Sequence, residues 1–595
     1  MINFEENKDI TSLTTFGVPV KAKWFVEFES ERELLKISRD ERFLNNPVYY
    51  LGGGSNLLFL QDFDGLVIRP AVKGKVRYDK NSETVYVIAG AGENWAEFVE
   101  WTVSQGLSGL ENMAGIPGDV GAAPVQNVGA YGVEAKDVIF AVECFDCVTR
   151  KTVRFSADEC KFGYRDSFFK HEGKGRYVVL RVSFKLSTDS EAKCLEYGPL
   201  KELQNRIGHI PTARQVMDEV LKIRASKLPD TKELGSAGSF FKNPVVHNGY
   251  LKEIQVLTGI EIPSHPVDKD HSKVSAAWLI DKAGLKGLRC GDAMVYKKQP
   301  LVIVNLGAAI AGDISTLAER VSEEVRKKFM INLLPEVNYI DTNVNVTILG
   351  TGTSKGIPEV ACSCRVCKSP YQKDKRRRTS ALVKTQGLTI LIDPSPDFRM
   401  QALDENIHHI DAVLITHGHN DHVGGLDDLR PFCAEKDLPL YVDEITEKEL
   451  RTHFEYCFRE HPYPGVPSFE IHQVSTEPFY INGLKIIPVE VLHGSRPIRA
   501  YRIGDFAYVT DAKYIDPSQL EKLMGVKTIV VNALRDRDHF SHFTLQEALD
   551  VIKEIHPQKA YLTHFNHEIG RHHELAARLP EGVEPAYDGL KFTVK

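Results

Sequence analysis

Three histidines and an aspartate fall within six residues in Thr416-His417-Gly418-His419-Asn420-Asp421-His422, directly after the apolar run Ala412 to Ile415. Imidazoles this close would repel one another if all were protonated; neutral, and joined by a carboxylate, they suit two adjacent divalent ions. Further single candidates stand at the ends of later apolar runs: His493 after Val489 to Leu492, Asp511 after Tyr508 to Thr510, and His564 after Tyr561 to Thr563. Cys362, Cys364 and Cys367 crowd three thiolates into one short loop. A tetrahedral structural zinc needs a fourth ligand, and His567 is available for it.

A second kind of chemistry is written in glycine. The stretch Gly115 to Gly132 reads G-I-P-G-D-V-G-A-A-P-V-Q-N-V-G-A-Y-G, and its lack of bulk argues against an ordinary helix or core strand. Successive unhindered N–H groups can form a concavity that binds phosphate without a positive side chain. A second cluster, Gly52-Gly53-Gly54-Ser55-Asn56, lies between the apolar runs Val48 to Leu51 and Leu57 to Leu60, a strand-turn-strand pattern. Two such loops point to one long cofactor carrying a pyrophosphate, with Gln126 and Asn127 able to hydrogen-bond its ring or ribose.

The elements that position these residues alternate. Trp24 to Phe28 reads as a strand, Ser30 and Glu33 form a capping box for a helix through Ile37, Val85 to Ala89 is a strand, and Trp95 to Gln105 is a helix stopped by Gly106. Neither glycine loop has the G-x-G-x-x-G spacing of a Rossmann turn. The class is α+β. A length of 595 residues exceeds one hydrophobic core and predicts several domains. Of 21 histidines only five precede Asp341, so the two parts of the chain use different chemistry, joined at the short polar segment Asp341 to Asn345.

The net charge of −7 gives no bulk attraction to nucleic acid or anionic membrane. No apolar run reaches the length of a membrane span and the first residues are acidic, so the expected location is the cytoplasm. Ten cysteines scattered over such a length do not form a disulfide framework, which fits a reducing compartment. The run Lys373 to Arg378, K-D-K-R-R-R, could meet a phosphate or a nucleic acid, but it reads first as a solvated charged face.

The order T-T-F-G (Thr14 to Gly17), L-G-G-G-S-N (Leu51 to Asn56), G-A-G-E-N-W (Gly90 to Trp95), the Gly115 to Gly132 stretch, F-G-Y-R-D-S (Phe162 to Ser167), A-G-S-F-F-K-N-P (Ala237 to Pro244) and L-P-E-V (Leu334 to Val337) resembles the UDP-N-acetylenolpyruvoylglucosamine reductases. That resemblance covers nearly all of residues 1 to 340. It implies an FAD-binding module of two α+β subdomains, 1–70 and 71–200, and a UDP-sugar subdomain, 201–340. NADPH is the implied electron source, and the implied product is UDP-N-acetylmuramate for peptidoglycan. The implied FAD contacts are Gly52, Gly53, Gly54, Ser55, Asn56, Ile116, Pro117, Gly118, Gly121, Ala122, Gln126, Asn127, Gly129 and Gly132. Reduction of an enolpyruvyl ether leaves negative charge at the α carbon and its carboxylate, and Arg165 offers a planar fork to that carboxylate. Ser239 is the implied proton donor, and Glu336 assists if protonated. Tyr197, Lys227 and Asn243, with Gln299 as a further candidate, are the implied substrate contacts.

The strand-then-ligand rhythm after residue 344 resembles the metallo-β-lactamase fold, an αββα sandwich over 344–595. By that resemblance His417, His419 and His493 hold one ion, Asp421, His422 and His564 the other, and Asp511 bridges them, with Zn or Mn as the ions. The cysteine triplet with His567 is similar to the bacterial phosphoribosyl cyclic phosphate phosphodiesterases, which implies a small phosphodiester substrate and a histidine general acid, His542, with His539 competing. Other readings of the same residues are a metal-binding partner without turnover, a thioesterase or a nuclease for the second part, and a flavin oxidase for the first.

Overall fold

The protein, seen in a computed structural model, is described over residues 2–189, 191, 192, 194–433, 437–459 and 465–595. It divides into two compact units, Met1–Asp341 and Thr342–Lys595. No described helix is long and apolar enough to cross a membrane.

The first unit begins with a four-stranded sheet in the order Glu5–Asp9, Lys21–Phe28, Phe63–Pro70, Val48–Tyr50. Ser30 caps the helix Glu31–Ile37: its side chain accepts from Glu33 N–H while Glu33 accepts from Glu29 N–H. A five-stranded sheet follows, ordered Lys151–Ser156, Ile139–Asp146, Tyr177–Ser187, Thr84–Gly90, Lys75–Asp79. The helix Trp95–Ser104 lies on this sheet through Trp95, Phe98 and Val99. Smaller sheets built on Gly235–Ser239 and on Val245–His247, with the helix Ala311–Phe329, form the third body.

The expected boundary at residue 200 is displaced. Leu200 and Leu203, then Val216, Met217 and Val220 of the helix Ala213–Lys227, are buried in the core of the five-stranded sheet, so the third body starts after Lys227. The chain finally returns to its beginning: Asn338–Ile340 pairs in parallel with Leu57–Phe59 beside the first glycine cluster.

The second unit is two seven-stranded sheets, face to face. One runs Phe469–Gln473, Leu438–Val442, Ala412–Leu414, Leu388–Ile392, Ser380–Thr385, Val344–Gly350, Leu590–Val594. The other runs Phe479–Ile481, Leu484–His493, Arg496–Ile503, Phe506–Val509, Thr528–Asn532, Lys559–Thr563, Val583–Pro585. Val346, Ile348, Ile390 and Leu414 of one sheet meet Ile486, Tyr501, Tyr508 and Val530 of the other in the inner core. The outer faces are covered by helices, among them Leu545–Ile555 on one side and Phe398–Asp404 on the other. The result is αββα. Its parallel strands end together, and the residues that leave their carboxyl ends form the site.

Candidate active sites

In the first unit the glycine loops pack so closely that no side chain fits between them. A Cβ on Gly53 would lie 2.6 Å from Gly118 Cα, and one on Gly54, whose φ is +63°, 1.9 Å from Leu13 O. Ser55 Oγ closes the join by donating to Pro117 O at 3.0 Å. The loops line an open cavity of about 210 Å³ together with Tyr50, Asp119, Gly121, Ala122 and Gln126. Burial pushes the Asp119 carboxyl up to about 6 against the opposing pull of Arg69 and Lys73. This backbone-walled cradle suits the phosphate-bearing end of a dinucleotide such as FAD.

The glycine-rich stretch has structure of its own. Ala123–Gln126 is one turn of helix, with Pro124 in its first turn where a missing N–H costs nothing. Asn127 is fully buried, its amide donating to Glu134 (3.0 Å) and Gly163 O (2.8 Å) and its oxygen accepting from Lys136 N–H, so its side chain braces the loop. Gly132 is a turn glycine at φ +88°, against Cys194. Ile116, Pro117, Gly118 and Gly129 lie outside the lining of the cavity; Gly118 supports it by its contact with Gly53, and Gly129 serves the neighbouring site.

That site joins distant segments. Residues 240–242 run antiparallel to 334–336: Glu336 N–H donates to Phe240 O at 2.7 Å, Lys242 N–H to Leu334 O at 2.9 Å. Ser239, at the end of Gly235–Ser239, is therefore brought beside Glu336. Glu336 Oε1 accepts from Arg165 Nε (2.9 Å) and Gln126 Nε2 (2.8 Å), and Gln126 lines the glycine cavity. Arg165 Nη2 donates to Gly129 O at 2.7 Å. Arg165 itself sits at φ +54°, a conformation that a non-glycine residue holds only when its surroundings enforce it.

Lys170, which the motif reading passed over, provides part of that enforcement by donating to Arg165 O at 3.1 Å. Burial, followed by Lys242, draws its pKa down to about 8, opposed by Asp166 and Glu336. Tyr164 is a second residue passed over. Lys273 stands 4.3 Å above its ring, and Asn243, whose Oδ1 accepts from Ala276 N–H, lies close to it. Its place inside F-G-Y-R-D-S was the available signal. Of the other expected contacts, Tyr197 packs edge-on against Tyr131 at 5.1 Å, Lys227 is exposed at its helix end, and Gln299 is half-buried before Val302–Asn305.

In the second unit all seven expected ligands converge. One ligand atom from each of His417, His419 and His493 lies within 4.8 Å of the others, and the same holds for Asp421, His422, Asp511 and His564. Asp511 faces both groups: Oδ1 is 3.1 Å from His564 Nε2 and 3.4 Å from His422 Nε2, and Oδ2 is 3.8 Å from His417 Nε2. His422 Nε2 and both nitrogens of His564 are buried without a hydrogen-bond partner, a donor set that metal ions would satisfy. Asp511 and His564 follow their strands at φ +57° and +58°, so each side chain is aimed by a strained corner.

A third such corner, Asp393 at φ +57°, escaped the sequence reading. It is fully buried and 2.7 Å from His422 Nδ1, and it accepts from Thr416 N–H and Oγ1 at 2.8 and 2.7 Å. Such a carboxylate fixes the tautomer and aim of a metal-ligating histidine. Burial opposes charge on His422, but Asp511, Asp421 and Asp393 outweigh it and raise its pKa. Burial likewise opposes ionisation of Asp511, but His564, His422 and His542 hold its carboxyl well below the usual range. His542 lies 3.8 Å from Asp511 Oδ2, nearly parallel to His564 at 4.9 Å. Burial pushes it down to about 3, with Asp511 opposing, so in this setting it is neutral at pH 7.

The cysteine triplet also closes. Cys362 Sγ and Cys367 Sγ lie 3.4 and 3.5 Å from His567 Nδ1, and Cys364 completes the group. Zinc bonds of about 2.3 Å to sulfur and 2.0–2.1 Å to nitrogen, opened to the tetrahedral angle, separate S and N by about 3.5 Å. The preformed spacing fits that ion.

Residues 22–155 match the FAD binding domain family, 229–340 the UDP-N-acetylenolpyruvoylglucosamine reductase C-terminal domain, and 389–565 the beta-lactamase superfamily domain. The chain is 45% identical over 340 residues to the UDP-N-acetylenolpyruvoylglucosamine reductase of Neisseria gonorrhoeae, spanning 57% of this chain and 98% of that protein. It is 40% identical over 343 residues to that of Photobacterium profundum, 58% and 97% of the two chains. Among solved structures, the reductase of Thermus caldophilus is 30% identical over 57% of this chain and 98% of its own, with a TM-score of 0.40. A diphosphatase of the PhnP family is 40% identical over 42% of this chain and 98% of its own, also at 0.40. The chain thus belongs to the UDP-N-acetylenolpyruvoylglucosamine reductase family through its first unit and continues into a second unit of metallo-β-lactamase fold.

Proposed function

We propose that the first unit reduces the enolpyruvyl ether of UDP-N-acetylglucosamine enolpyruvate to UDP-N-acetylmuramate, an early step of peptidoglycan synthesis, using FAD and NADPH. The observation that carries this reading is Glu336 held by Arg165 and by Gln126 at the edge of the glycine cavity, with Ser239 one residue before the Phe240 carbonyl that accepts from Glu336 N–H. Bound FAD supplies the two-electron reduction. Arg165, held at Nε and Nη2, presents a rigid guanidinium to the substrate carboxylate, where negative charge grows as the double bond is reduced. Ser239 delivers the proton to the α carbon, and Gln126 and Arg165 keep Glu336 in place beside it. Tyr164, Asn243 and Lys273 form one connected group for the UDP-sugar, and Lys227 and Tyr197 add charge and a ring that can fold over the diphosphate. Ser239→Ala should slow flavin reoxidation by the enolpyruvyl substrate about 10² to 10⁴-fold while leaving flavin reduction by NADPH unchanged. Reoxidation by the enolpyruvyl substrate at the wild-type rate in the variant would dismiss Ser239 as the donor.

For the second unit we propose a dinuclear metallohydrolase acting on a small phosphodiester. The support is Asp511, whose two oxygens face two separate histidine groups. Divalent ions at these groups, zinc or manganese, supply Lewis acidity and an activated water. His417, His419 and His493 hold one ion, Asp421, His422 and His564 the other. Neutral His542 takes a proton only when negative charge arrives beside it, so a phosphate group in the site is what would raise it to the protonated form a general acid needs. Asp511→Ala should abolish hydrolysis of bis(p-nitrophenyl) phosphate, and retained turnover would refute the bridging role.

A further inference from the structure

The charge run Lys373 to Arg378 is not the solvated face its composition suggests. Lys373, Lys375, Arg377 and Arg378 are half-buried and Arg376 is 1% exposed. Together with Lys355 they line a cavity of about 630 Å³ that contains none of the seven dinuclear ligands and none of the four cysteine and histidine zinc ligands.

The carboxylates in its wall are already engaged. Asp404 pairs with Arg377 at 2.7 Å, Asp397 with Arg378 at 3.1 Å, and Glu405 with Lys591 at 2.7 Å. Asp588 accepts from Thr351 Oγ1 and Arg377 N–H. Lys355 turns outward to Glu359. Three cations are left without an ion pair among the described residues. Lys373 Nζ rests 3.8 Å over the Tyr587 ring. The Arg376 guanidinium lies 4.5 Å over Phe565 and donates only from Nη2, to Gly570 O at 3.3 Å. Arg376 Nε and Nη1 are buried with no hydrogen-bond partner among the described residues. Asp374 and Asp588 are close enough for Arg376 to feel their charge, but neither bonds to it.

Buried guanidinium donors left unpaired are costly, and a surplus of cations concentrated in a concavity selects for an anion. Lysine point charges beside arginine forks are the usual complement of phosphate oxygens. The volume is that of a small-molecule pocket, whereas a nucleic acid strand follows an extended open track. We propose that this cavity is a second anion site, binding a small phosphorylated molecule separately from the dinuclear centre.

The test uses the full-length protein and inorganic pyrophosphate as the probe, in isothermal titration of the wild type and the K373A/K375A double variant. Both lysines are half-buried at the cavity rim, so the variant should fold. The expected result is one binding equivalent weakened about tenfold or more in K373A/K375A and recovered in K373R/K375R, with bis(p-nitrophenyl) phosphate hydrolysis unchanged throughout. An isotherm that K373A/K375A leaves intact would overturn the proposal. So would hydrolysis that falls in step with binding, which would make the cavity part of the hydrolase site, or displacement of pyrophosphate by a single-stranded oligonucleotide, which would make the ligand a nucleic acid.

Discussion

Replacing Asp393 by asparagine removes one charge and reverses one hydrogen bond behind the metal site. Asp393 Oδ2 lies 2.7 Å from His422 Nδ1, and the same carboxylate accepts twice from Thr416. In Asp393→Asn one oxygen becomes an NH₂. If the remaining oxygen keeps the Thr416 N–H, the NH₂ faces His422 Nδ1 and favours the tautomer protonated at Nε2, the atom directed at Asp421 and Asp511. The metal must then restore the other tautomer against a donor that opposes it. Losing such a supporting partner costs about 10- to 100-fold in metal affinity, or about 1.4–2.7 kcal/mol. Competition with a chromophoric zinc chelator reads this directly, and zinc taken up at Cys362, Cys364, Cys367 and His567, a site Asp393 does not touch, should be unchanged as an internal standard. Two dinuclear-site ions bound with wild-type affinity in Asp393→Asn would refute the argument that a buried carboxylate sets the His422 tautomer.

Two further outcomes follow from local geometry. Gly54→Ala forces a Cβ to 1.9 Å from Leu13 O at φ +63°, so the variant should lose bound flavin and melt well below the wild type by calorimetry; an unaltered flavin spectrum and melting temperature would contradict the cradle. Asp146 is buried, and although burial opposes its ionisation, Arg176 (2.9 and 3.1 Å) and the N–H groups of Val148 and Thr149 hold its pKa below the ordinary carboxylate value. A pKa depressed by folding contributes stability above the unfolded value, lost as pH falls through the folded one. Asp146→Asn should therefore cost about 1–3 kcal/mol at pH 7 and progressively less below about pH 4, measured by urea unfolding against pH.

The convergence of the seven histidine and aspartate residues was legible because each follows an apolar run, and in an αββα sandwich such runs are strands whose carboxyl ends meet. The group of Cys362, Cys364, Cys367 and His567 was legible because three cysteines in one loop leave few other structural uses. Asp393 was not, since an aspartate before Pro394 also reads as the start of a turn; only pairing Leu388–Ile392 with Ala412–Leu414 puts it behind His422. The bracing role of Asn127 was hidden for a related reason: only the fold brings Glu134, Lys136 and Gly163 to its amide. The run Lys373 to Arg378 misled because charge predicts exposure only where no cavity lies beneath. The third subdomain's start was misplaced because Ala213–Lys227 buries its apolar stripe in the preceding core.

The most direct measurement is anaerobic absorbance spectroscopy of the purified chain. Bound flavin should bleach on addition of NADPH and recover its oxidised spectrum only when the UDP-enolpyruvyl sugar is added, with UDP-N-acetylmuramate formed in equal amount. A protein that binds no FAD, or a bleached flavin that oxygen restores rapidly and the enolpyruvyl sugar does not, would contradict the account.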